Sequence, residues 1–408
     1  MRQFVVAFIV LGVAGCNLAT GPRSTAGSGG DDASGTGGSG STGGSGGGST
    51  KTPTPSPVTE TPAPIAASTG SDPATSSAST AKFPYKAARF PMAVVDDLMV
   101  APGGIFEPVP PQTRGVINNV FAMAKLTASG GGTTVGTWAT ASLPLRICDQ
   151  ELTVDHKKRL VMVGGVTQAE GTFNNSPIKD VYLGTVNATT PAVTWEKQAA
   201  SALPANLSSF ALATAADGKT HYVAGGMGPQ GPVDEVLIGR SADDGAVTWT
   251  KSPNFLPSSR SGSAAVAANS RLYVIGGVVG SDRTRSVLAA QIKADGSLGT
   301  FAEVAQLPEG RGFMRAYVDK GNKIVVVGGS RVDESDSSAG TTGGTTKTVF
   351  VGRFDSSGTL TFGQAPSLAD VSQHFGLALS STGAIMAGGT RFGETKQFVD
   401  QVLQIPFN

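Results

Sequence analysis

After about residue 83 the chain repeats one pattern of hydrophobic and polar positions. A short apolar run ends in Gly-Gly six times, at intervals of 51 to 61 residues. Ahead of each run lies an alternating stretch of small residues, and a turn rich in Asn, Asp or Gly separates the two, which is typical of a β-hairpin. The six pairs are Gly103-Gly104, Gly164-Gly165, Gly225-Gly226, Gly276-Gly277, Gly328-Gly329 and Gly388-Gly389.

Each repeat continues in the same way after its Gly-Gly. A polar loop leads to a third β-type run, and in most repeats a second turn leads to an aromatic residue. We expect a fourth strand there, so each unit predicts four antiparallel strands in roughly 50 to 60 residues. The aromatic residues are Trp138, Trp195, Trp249, Phe301 and Phe362.

The distribution of side-chain sizes predicts how these units assemble. The Gly-Gly strand is apolar on both sides and must be buried on both faces, while the preceding strand is small enough for a crowded centre. A single four-stranded unit would leave its faces in water, so stacking around a ring is the stable arrangement. The sequence therefore predicts an all-β propeller of six blades rather than a β-sandwich.

The order Gly-Gly, β run, Trp, Leu-Pro and Arg resembles the kelch repeat of the galactose oxidase/kelch-type propellers, over residues 83–408. The resemblance implies six four-stranded blades. The last unit ends at Asn408 after its third strand, and propellers of this kind often complete the last blade with the other terminus. The segment Ala74–Lys82 is therefore expected to supply the missing outer strand.

The N-terminus reads as an export signal. Met1–Ala14 has one basic residue and an apolar run too short to cross a bilayer of ~30 Å. Val13-Ala14-Gly15-Cys16 resembles the lipobox of bacterial lipoproteins, which implies a lipid on the Cys16 thiol and a membrane anchor. Asn17 follows, and the rule for such lipoproteins in double-membrane bacteria then points to the outer membrane. An ordinary signal peptide with a chance cysteine is the alternative.

Three segments follow from these patterns: a lipoprotein signal peptide at 1–15, a lipidated N-terminus with linker at 16–73, and the propeller at 74–408. The linker is almost entirely Gly, Ser, Thr, Ala and Pro, which bury too little apolar surface to fold. Its reach is on the order of 45 Å.

Composition argues against several kinds of chemistry. A formal charge of +1 gives no field to attract nucleic acid. The histidines His156, His221 and His374 have no metal-ligand spacing, and no candidate tyrosine accompanies Cys148, so copper-radical chemistry is not expected. We therefore predict no metal and no cofactor, and Cys148 as a small buried residue.

Two near-matches suggest a glycan enzyme. Residues 241–249 resemble the Asp-box of sialidases with one residue too many, and Arg89-Phe90-Pro91 faintly resembles a motif near the start of those enzymes. A hairpin leading into the fourth strand demands the same Asp-Gly and aromatic residues, and this structural interpretation is the stronger one. A bacterial sialic acid epimerase also has a six-bladed kelch-type propeller, but that analogy concerns the fold alone.

Arginines are the main candidates for ligand binding. One group lies at or in the first strands, where fixing the chain through backbone carbonyls is the commoner role. Another follows Gly-Gly on loops at one rim, where arginines could frame a carboxylate or sugar site. The candidates are Arg331, Arg391, Arg315, Arg146, Arg260 and Arg311. The loop 332–346 carries Asp333, Glu334 and Asp336, and a solvated insertion is expected there rather than a cation site.

The sequence thus predicts a binding or scaffolding module for a protein or glycan at the cell envelope, of unknown oligomeric state. The alternative is a carbohydrate-active enzyme of the epimerase or sialidase type, and a third possibility is a subunit of a larger envelope assembly. An enzyme requires arginines that converge with Glu, Asp or Tyr in the central channel.

Overall fold

The computed structural model describes residues 64–109, 115–129, 132–168, 175–187, 189–331, 344–370, 372–392 and 396–407. This part of the chain is all-β, and its one helical segment is the 3₁₀ turn Ala199–Ser201. None of its helices is long and apolar enough to cross a membrane.

The first three principal sheets are antiparallel and follow one another along the chain. In each, four strands pair in chain order. Their strands are β3 (Ala93–Val95), β4 (Leu98–Pro102), β7 (Val120–Ser129) and β8 (Gly132–Val135), with β9 (Ala139–Ser142) also on β7, in sheet 1; β11 (Glu151–Val154), β12 (Leu160–Val163), β15 (Val181–Asn187) and β16 (Ala192–Lys197) in sheet 2; and β17 (Ala211–Thr214), β18 (Thr220–Ala224), β21 (Val236–Ser241) and β22 (Val247–Lys251) in sheet 3.

The next three sheets repeat this arrangement, except that sheet 6 joins the two ends of the described chain. Their strands are β23 (Ala264–Ala268), β24 (Arg271–Ile275), β27 (Ser286–Gln291) and β28 (Ala302–Gln306) in sheet 4; β29 (Arg315–Val318), β30 (Ile324–Val327), β31 (Val349–Phe354) and β32 (Leu360–Ala365) in sheet 5; and β33 (Gly376–Leu379), β34 (Gly383–Ala387), β37 (Val402–Pro406) and β1 (Ser77–Ala78) in sheet 6.

Short two- and three-stranded sheets lie at one end of the principal sheets. In most of them, the segment after a Gly-Gly folds back as a hairpin or pairs with the residues that precede a first strand. They comprise β2 (Ala87–Ala88), β5 (Ile105–Phe106) and β6 (Val116–Ile117); β10 (Ile147–Cys148), β13 (Val166–Gln168) and β14 (Asn175–Pro177); β19 (Met227–Gly228) and β20 (Gly231–Pro232); β25 (Val278–Val279) and β26 (Asp282–Arg283); and β35 (Thr390–Phe392) and β36 (Lys396–Phe398).

The second strand of each principal sheet is the core of the molecule, as its composition predicts. Every residue of β4, β12, β18, β30 and β34 is buried, because apolar side chains on both faces pack against the neighbouring sheets. Each inter-sheet core draws on two successive sheets; one unites Tyr273 of β24 with Val326 of β30.

The predicted aromatic residues lie at the outer strands, with two small shifts. Trp195, Trp249 and Phe362 are in the fourth strands, whereas Trp138 precedes β9 and Phe301 precedes β28. The three in strands face a glycine across the ladder. The aromatic side chain covers that glycine so closely that no Cβ would fit there.

The predicted pairing of the two chain ends is confirmed. Ser77 pairs with Gln404 and Ala78 with Leu403, which makes β1 the outer strand of sheet 6. The Ser79 N–H extends the pairing by donating to the Val402 carbonyl at 2.8 Å. This strand lies within the segment Ala74–Lys82 that the sequence indicates.

The six Gly-Gly pairs link each sheet to the next. The first glycine of a pair has φ between 56° and 69° and the second between 92° and 113°, values that strain other residues. The second N–H donates to a carbonyl ahead of the next sheet's first strand, and the sixth returns to sheet 1. These bonds run from Gly104 to Ile147, Gly165 to Leu207, Gly226 to Arg260, Gly277 to Arg311, Gly329 to Ser372 and Gly389 to Ala87, at 2.7 to 2.9 Å.

A second set of six bonds joins the residues that lead into the first strands. All six residues have positive φ, between 50° and 64°. Each N–H donates to the carbonyl of the corresponding residue in the preceding sheet, and the series returns to its start. The donors and acceptors are Asp149 to Arg89, Ser209 to Asp149, Gly262 to Ser209, Phe313 to Gly262, His374 to Phe313 and Arg89 to His374, at 2.7 to 3.2 Å. We call these six residues the ring.

Candidate functional site

The ring and the residues next to it line a pocket, which we call the ring pocket. Its walls carry charged, aromatic and hydroxyl side chains drawn from all six sheets, in contrast to the apolar packing below. The lining residues are Arg89, Asp149, Gln150, Glu151, Ser209, Phe210, Gly262, Ser263, Phe313, Met314, Arg315 and His374.

One ion pair spans this pocket from sheet 5 to sheet 2. Arg315, the first residue of β29, places Nη1 2.6 Å from both carboxylate oxygens of Glu151, the first residue of β11. The same guanidinium donates through Nε to the Phe375 carbonyl at 3.2 Å. Burial raises the pKa of the Glu151 carboxyl, and the charge and hydrogen bond of Arg315 offset only part of that effect.

A second ion pair lies within the ring. Arg89 Nη1 is 3.0 Å from Asp149 Oδ2, with the two side chains 11% and 8% exposed. Two charges so shielded are costly unless they are paired, and the pair fixes both side chains. Gln150 is held beside them by a bond from its Nε2 to the Pro102 carbonyl at 2.7 Å.

Two aromatic side chains of the pocket lie next to each other. The imidazole of His374 lies 4.2 Å from the aromatic ring of Phe313, tilted by 32°. The Arg283 guanidinium lies 5.4 Å from the centre of the Phe313 ring, a distance typical of a cation–π contact. The pocket therefore combines charged and aromatic side chains.

The ring pocket is narrow. Its cavity volume is about 40 Å³, which holds only a few water molecules. Pockets that enclose a whole small molecule are roughly 300 to 1,000 Å³. Only one projecting group of a ligand fits in it, and the remainder of such a ligand would lie on the surrounding face.

Among the predicted arginines, Arg315 alone lines this pocket. Arg260 and Arg311 are buried, at 3% and 0% exposure. Arg260 donates to the Gly276 carbonyl at 3.2 Å, and Arg311 lies 4.8 Å from the centre of the Phe350 ring. Arg146 is half-buried and donates to the Ile117 carbonyl at 3.3 Å. Arg146 and Arg260 thus bond backbone carbonyls, the role expected of arginines at the first strands, whereas Arg311 contacts an aromatic ring.

Arg331 and Arg391 are on the same end of the sheets, outside the ring pocket. Arg331 lies 3.4 Å from Glu309, and Arg391 lies 3.0 Å from Asp370. Arg391 also lines a separate surface cavity of about 300 Å³ with Lys86 and Glu107. The structure therefore does not bring these two together with Arg315.

The other sequence motifs have structural contacts in the described residues. Asp243 of the Asp-box-like segment accepts a bond from His156 at 2.7 Å, and Asp244 accepts the Ala246 N–H of the same turn. His221 is buried between the hydroxyls of Thr214 and Ser241, and burial lowers its pKa to about 4. No cluster of three or more metal-ligating side chains occurs in the part of the chain described.

Sequence reasoning missed most of the ring pocket. Asp149, Glu151 and Phe313 were not predicted as site residues, and His374 was considered only as a metal ligand. A signal was present: Asp149, Phe313 and His374 occupy the same position of their repeats, a few residues after the preceding outer strand. The signal peptide, Cys16, the linker up to residue 63 and the acidic loop residues Asp333, Glu334 and Asp336 lie outside the described residues.

Comparisons with known proteins bear on the fold. A family model described as the kelch motif matches residues 259–289, which cover β23 to β26 and the start of β27. A search of curated protein sequences found no match. Among solved structures 573 chains match. One of them, titled "Structure of YjhT", is 13% identical with a TM-score of 0.56, over 80% of this chain and 95% of that one.

At that identity the likeness carries the fold and nothing about activity. It agrees with the kelch motif in sheet 4 and with the antiparallel four-stranded sheets along the described chain. The chain therefore carries a kelch motif and has a kelch-type β-propeller fold.

Proposed function

We propose that this chain is a cell-envelope lipoprotein that presents a six-bladed propeller as a binding or scaffolding module for protein or glycan ligands. The ring pocket is the binding site, and a glycan is the ligand class that it suits best. The two series of six bonds that return to sheet 1 support the count of six blades.

The observation that carries the binding proposal is the pair of shielded arginine–carboxylate bridges in one narrow pocket. Arg89–Asp149 and Arg315–Glu151 place hydrogen-bond donors beside acceptors, as neighbouring sugar hydroxyls require. Buried ion pairs contribute little stability, so their concentration at one solvent-reached point favours a binding role.

A glycan array probed with the full chain tests this proposal. Binding to a restricted set of glycans, lost when the pocket carboxylates are neutralised, supports it. Binding to none of the glycans, together with binding of a peptide or protein at the same face, would replace glycan by protein ligand.

The envelope location rests on the N-terminal sequence, which resembles a lipobox at Val13–Cys16. Metabolic labelling with a palmitate analogue tests it in a bacterial host. Label in the wild type and none in Cys16→Ser supports the lipid anchor, whereas export of an unlabelled wild type would indicate an ordinary signal peptide.

One observation favours the alternative of a carbohydrate-active enzyme. Arginines converge with carboxylates in the ring pocket, and the pKa of Glu151 is raised by burial, which suits a group that holds a proton nearer to neutral pH. Incubation of array hits with wild type and Glu151→Gln distinguishes the two. Turnover that the variant loses indicates an enzyme, and binding without turnover indicates the module.

A further inference from the structure

The segment 64–76, which we call the strap, crosses one end of sheet 5 before it reaches β1. The Ser68 N–H donates to the Phe354 carbonyl at 2.9 Å, and the Thr69 N–H donates to the Gly321 carbonyl at 2.8 Å. Asn322 Nδ2 donates in return to the Ala66 carbonyl at 2.6 Å. The strap thus contacts both the β29–β30 turn and the β31–β32 hairpin.

Two cations of sheet 5 bind the strap. The Lys323 side chain is 2% exposed, and its ammonium donates to the Gly70 and Ser71 carbonyls while pairing with Asp319 at 3.4 Å. Arg353 forms an ion pair with Asp72. A buried ammonium without such acceptors would be strongly unfavourable, so the strap carbonyls complete its environment.

The strap also has apolar and buried polar contacts. Ile65 packs against the core cluster that contains Phe354 and Leu360, directly beside Gly358. The buried Ser76 hydroxyl accepts the Ala369 N–H at 2.7 Å, on the connection from sheet 5 to sheet 6.

The strand that follows has far less to hold it. β1 has two residues, and both of their side chains are exposed. The outer strands β16, β22, β28 and β32 have five or six residues each. Ordering a residue costs about 1–2 kcal/mol and a hydrogen bond returns about 1 kcal/mol net, so two paired residues do not hold themselves in place.

We propose that the strap is a latch that holds the closing strand β1 on sheet 6, and that the folded domain includes residues 64–73, which the sequence assigned to the linker. Sheet 6 then depends for its outer strand on contacts that lie on sheet 5.

The strap lies at the end of sheet 5 that is away from the ring. First strands run away from the ring, so the β29–β30 turn that the strap contacts lies at the opposite end of sheet 5 from Phe313 and Arg315.

Hydrogen exchange on the full chain with Ile65→Ser and Asp72→Ala together tests the latch. Neither residue contacts sheet 6 in the interactions described above. The latch predicts at least about tenfold faster exchange at Ser79, whose N–H bonds Val402, because an opening free energy lower by ~1.4 kcal/mol is tenfold in the open population. The matched control is Ala67→Ser with Thr75→Ala, two exposed strap positions, which should leave Ser79 unchanged.

The Tyr273 amide in β24 reports global opening. Acceleration at Ser79 with Tyr273 unchanged supports the latch. Unchanged exchange at Ser79 while Ser68 and Thr69 accelerate, or equal acceleration at Ser79 and Tyr273, overturns it. Neither result depends on ligand binding, so the latch can fail while the proposed binding function stands.

Discussion

At the scale of single residues, the Gly-Gly pairs are fixed by two separate constraints. Gly276 has φ of 56°, and a Cβ there would lie 2.5 Å from the Arg311 carbonyl oxygen. Gly280, four residues on, has φ of 61° with nothing within 4 Å of a Cβ. The chain therefore offers a matched pair that separates backbone strain from the close approach of the next sheet.

We predict that Gly280→Ala lowers the free energy of unfolding by about 1–2 kcal/mol, the cost of a left-handed backbone for a residue with a Cβ. Gly276→Ala should lose that amount and roughly 2 kcal/mol more, because a backbone oxygen must move. Urea unfolding of both variants measures the difference. Equal losses would show that the close contact costs nothing.

The buried His221 predicts a pH dependence of stability. Burial lowers its folded pKa to about 4, below the unfolded value near 6.5, so the unfolded chain takes up a proton first as pH falls. The contribution is complete above pH 6.5 and is lost on the way to pH 4, by about 3 kcal/mol at 1.36 kcal/mol per pKa unit.

Urea unfolding of wild type and His221→Gln between pH 4 and 8 tests this. The glutamine can still bond the hydroxyls of Thr214 and Ser241. We expect the variant to lose less stability than the wild type below pH 6.5 and to run parallel to it above pH 7. Parallel curves throughout would contradict a neutral buried histidine.

At the scale of elements, the sequence predicted the strands well but did not predict which charged residues come together at the ring pocket. Apolar character on both sides of the Gly-Gly runs identifies β12 and β30 as fully buried, because only a strand between two sheets needs it. The pairing of β1 with β37 was expected from the resemblance to kelch-type propellers, which often complete the last blade with the other terminus. The ring pocket did not, because Asp149 and Glu151 come together with Arg89 and Arg315 only through closure of the ring.

The two arginines that contact Glu309 also show what could not be predicted from the sequence. Arg311 lies 3.2 Å from Glu309 and is fully buried, and burial lowers its pKa to about 10. Arg331 lies 3.4 Å from Glu309 with its side chain 42% exposed. Both were ligand candidates in the sequence, Arg331 on a rim loop and Arg311 at a first strand, but burial is not visible in a lone arginine.

We predict that Arg311→Ala lowers the free energy of unfolding by roughly 3 kcal/mol, because it leaves a cavity at a fully buried site against Phe350. Arg331→Ala should change it by at most about 0.5 kcal/mol, as expected for an exposed ion pair. Thermal or urea unfolding gives both values. A large loss in the Arg331 variant would contradict the described exposure.

At the scale of the whole molecule, the kelch-type propeller fold brings the lining of the ring pocket together from distant parts of the chain. The six bonds of the ring position charged side chains from sheets 1, 2 and 5 in a space too small for a complete ligand. The proposed binding at this pocket would therefore depend on the positions of all six sheets, because each sheet contributes one residue to the ring. The strap contacts the β29–β30 turn, at the opposite end of sheet 5 from the ring.

The most direct test is a binding titration. A glycan that binds the wild type on the array is titrated into the wild type and into the double variant Asp149→Asn with Glu151→Gln. These changes keep the shape of the ring pocket and remove both carboxylates. The matched control, Asp180→Asn with Glu235→Gln, removes two carboxylates that pair with Lys197 and Lys251 on the outer strands. We predict at least about tenfold weaker binding in the pocket variant, the loss of one or two charge-assisted hydrogen bonds, and unchanged binding in the control. Equal affinity in all three proteins would contradict a binding site at the ring pocket.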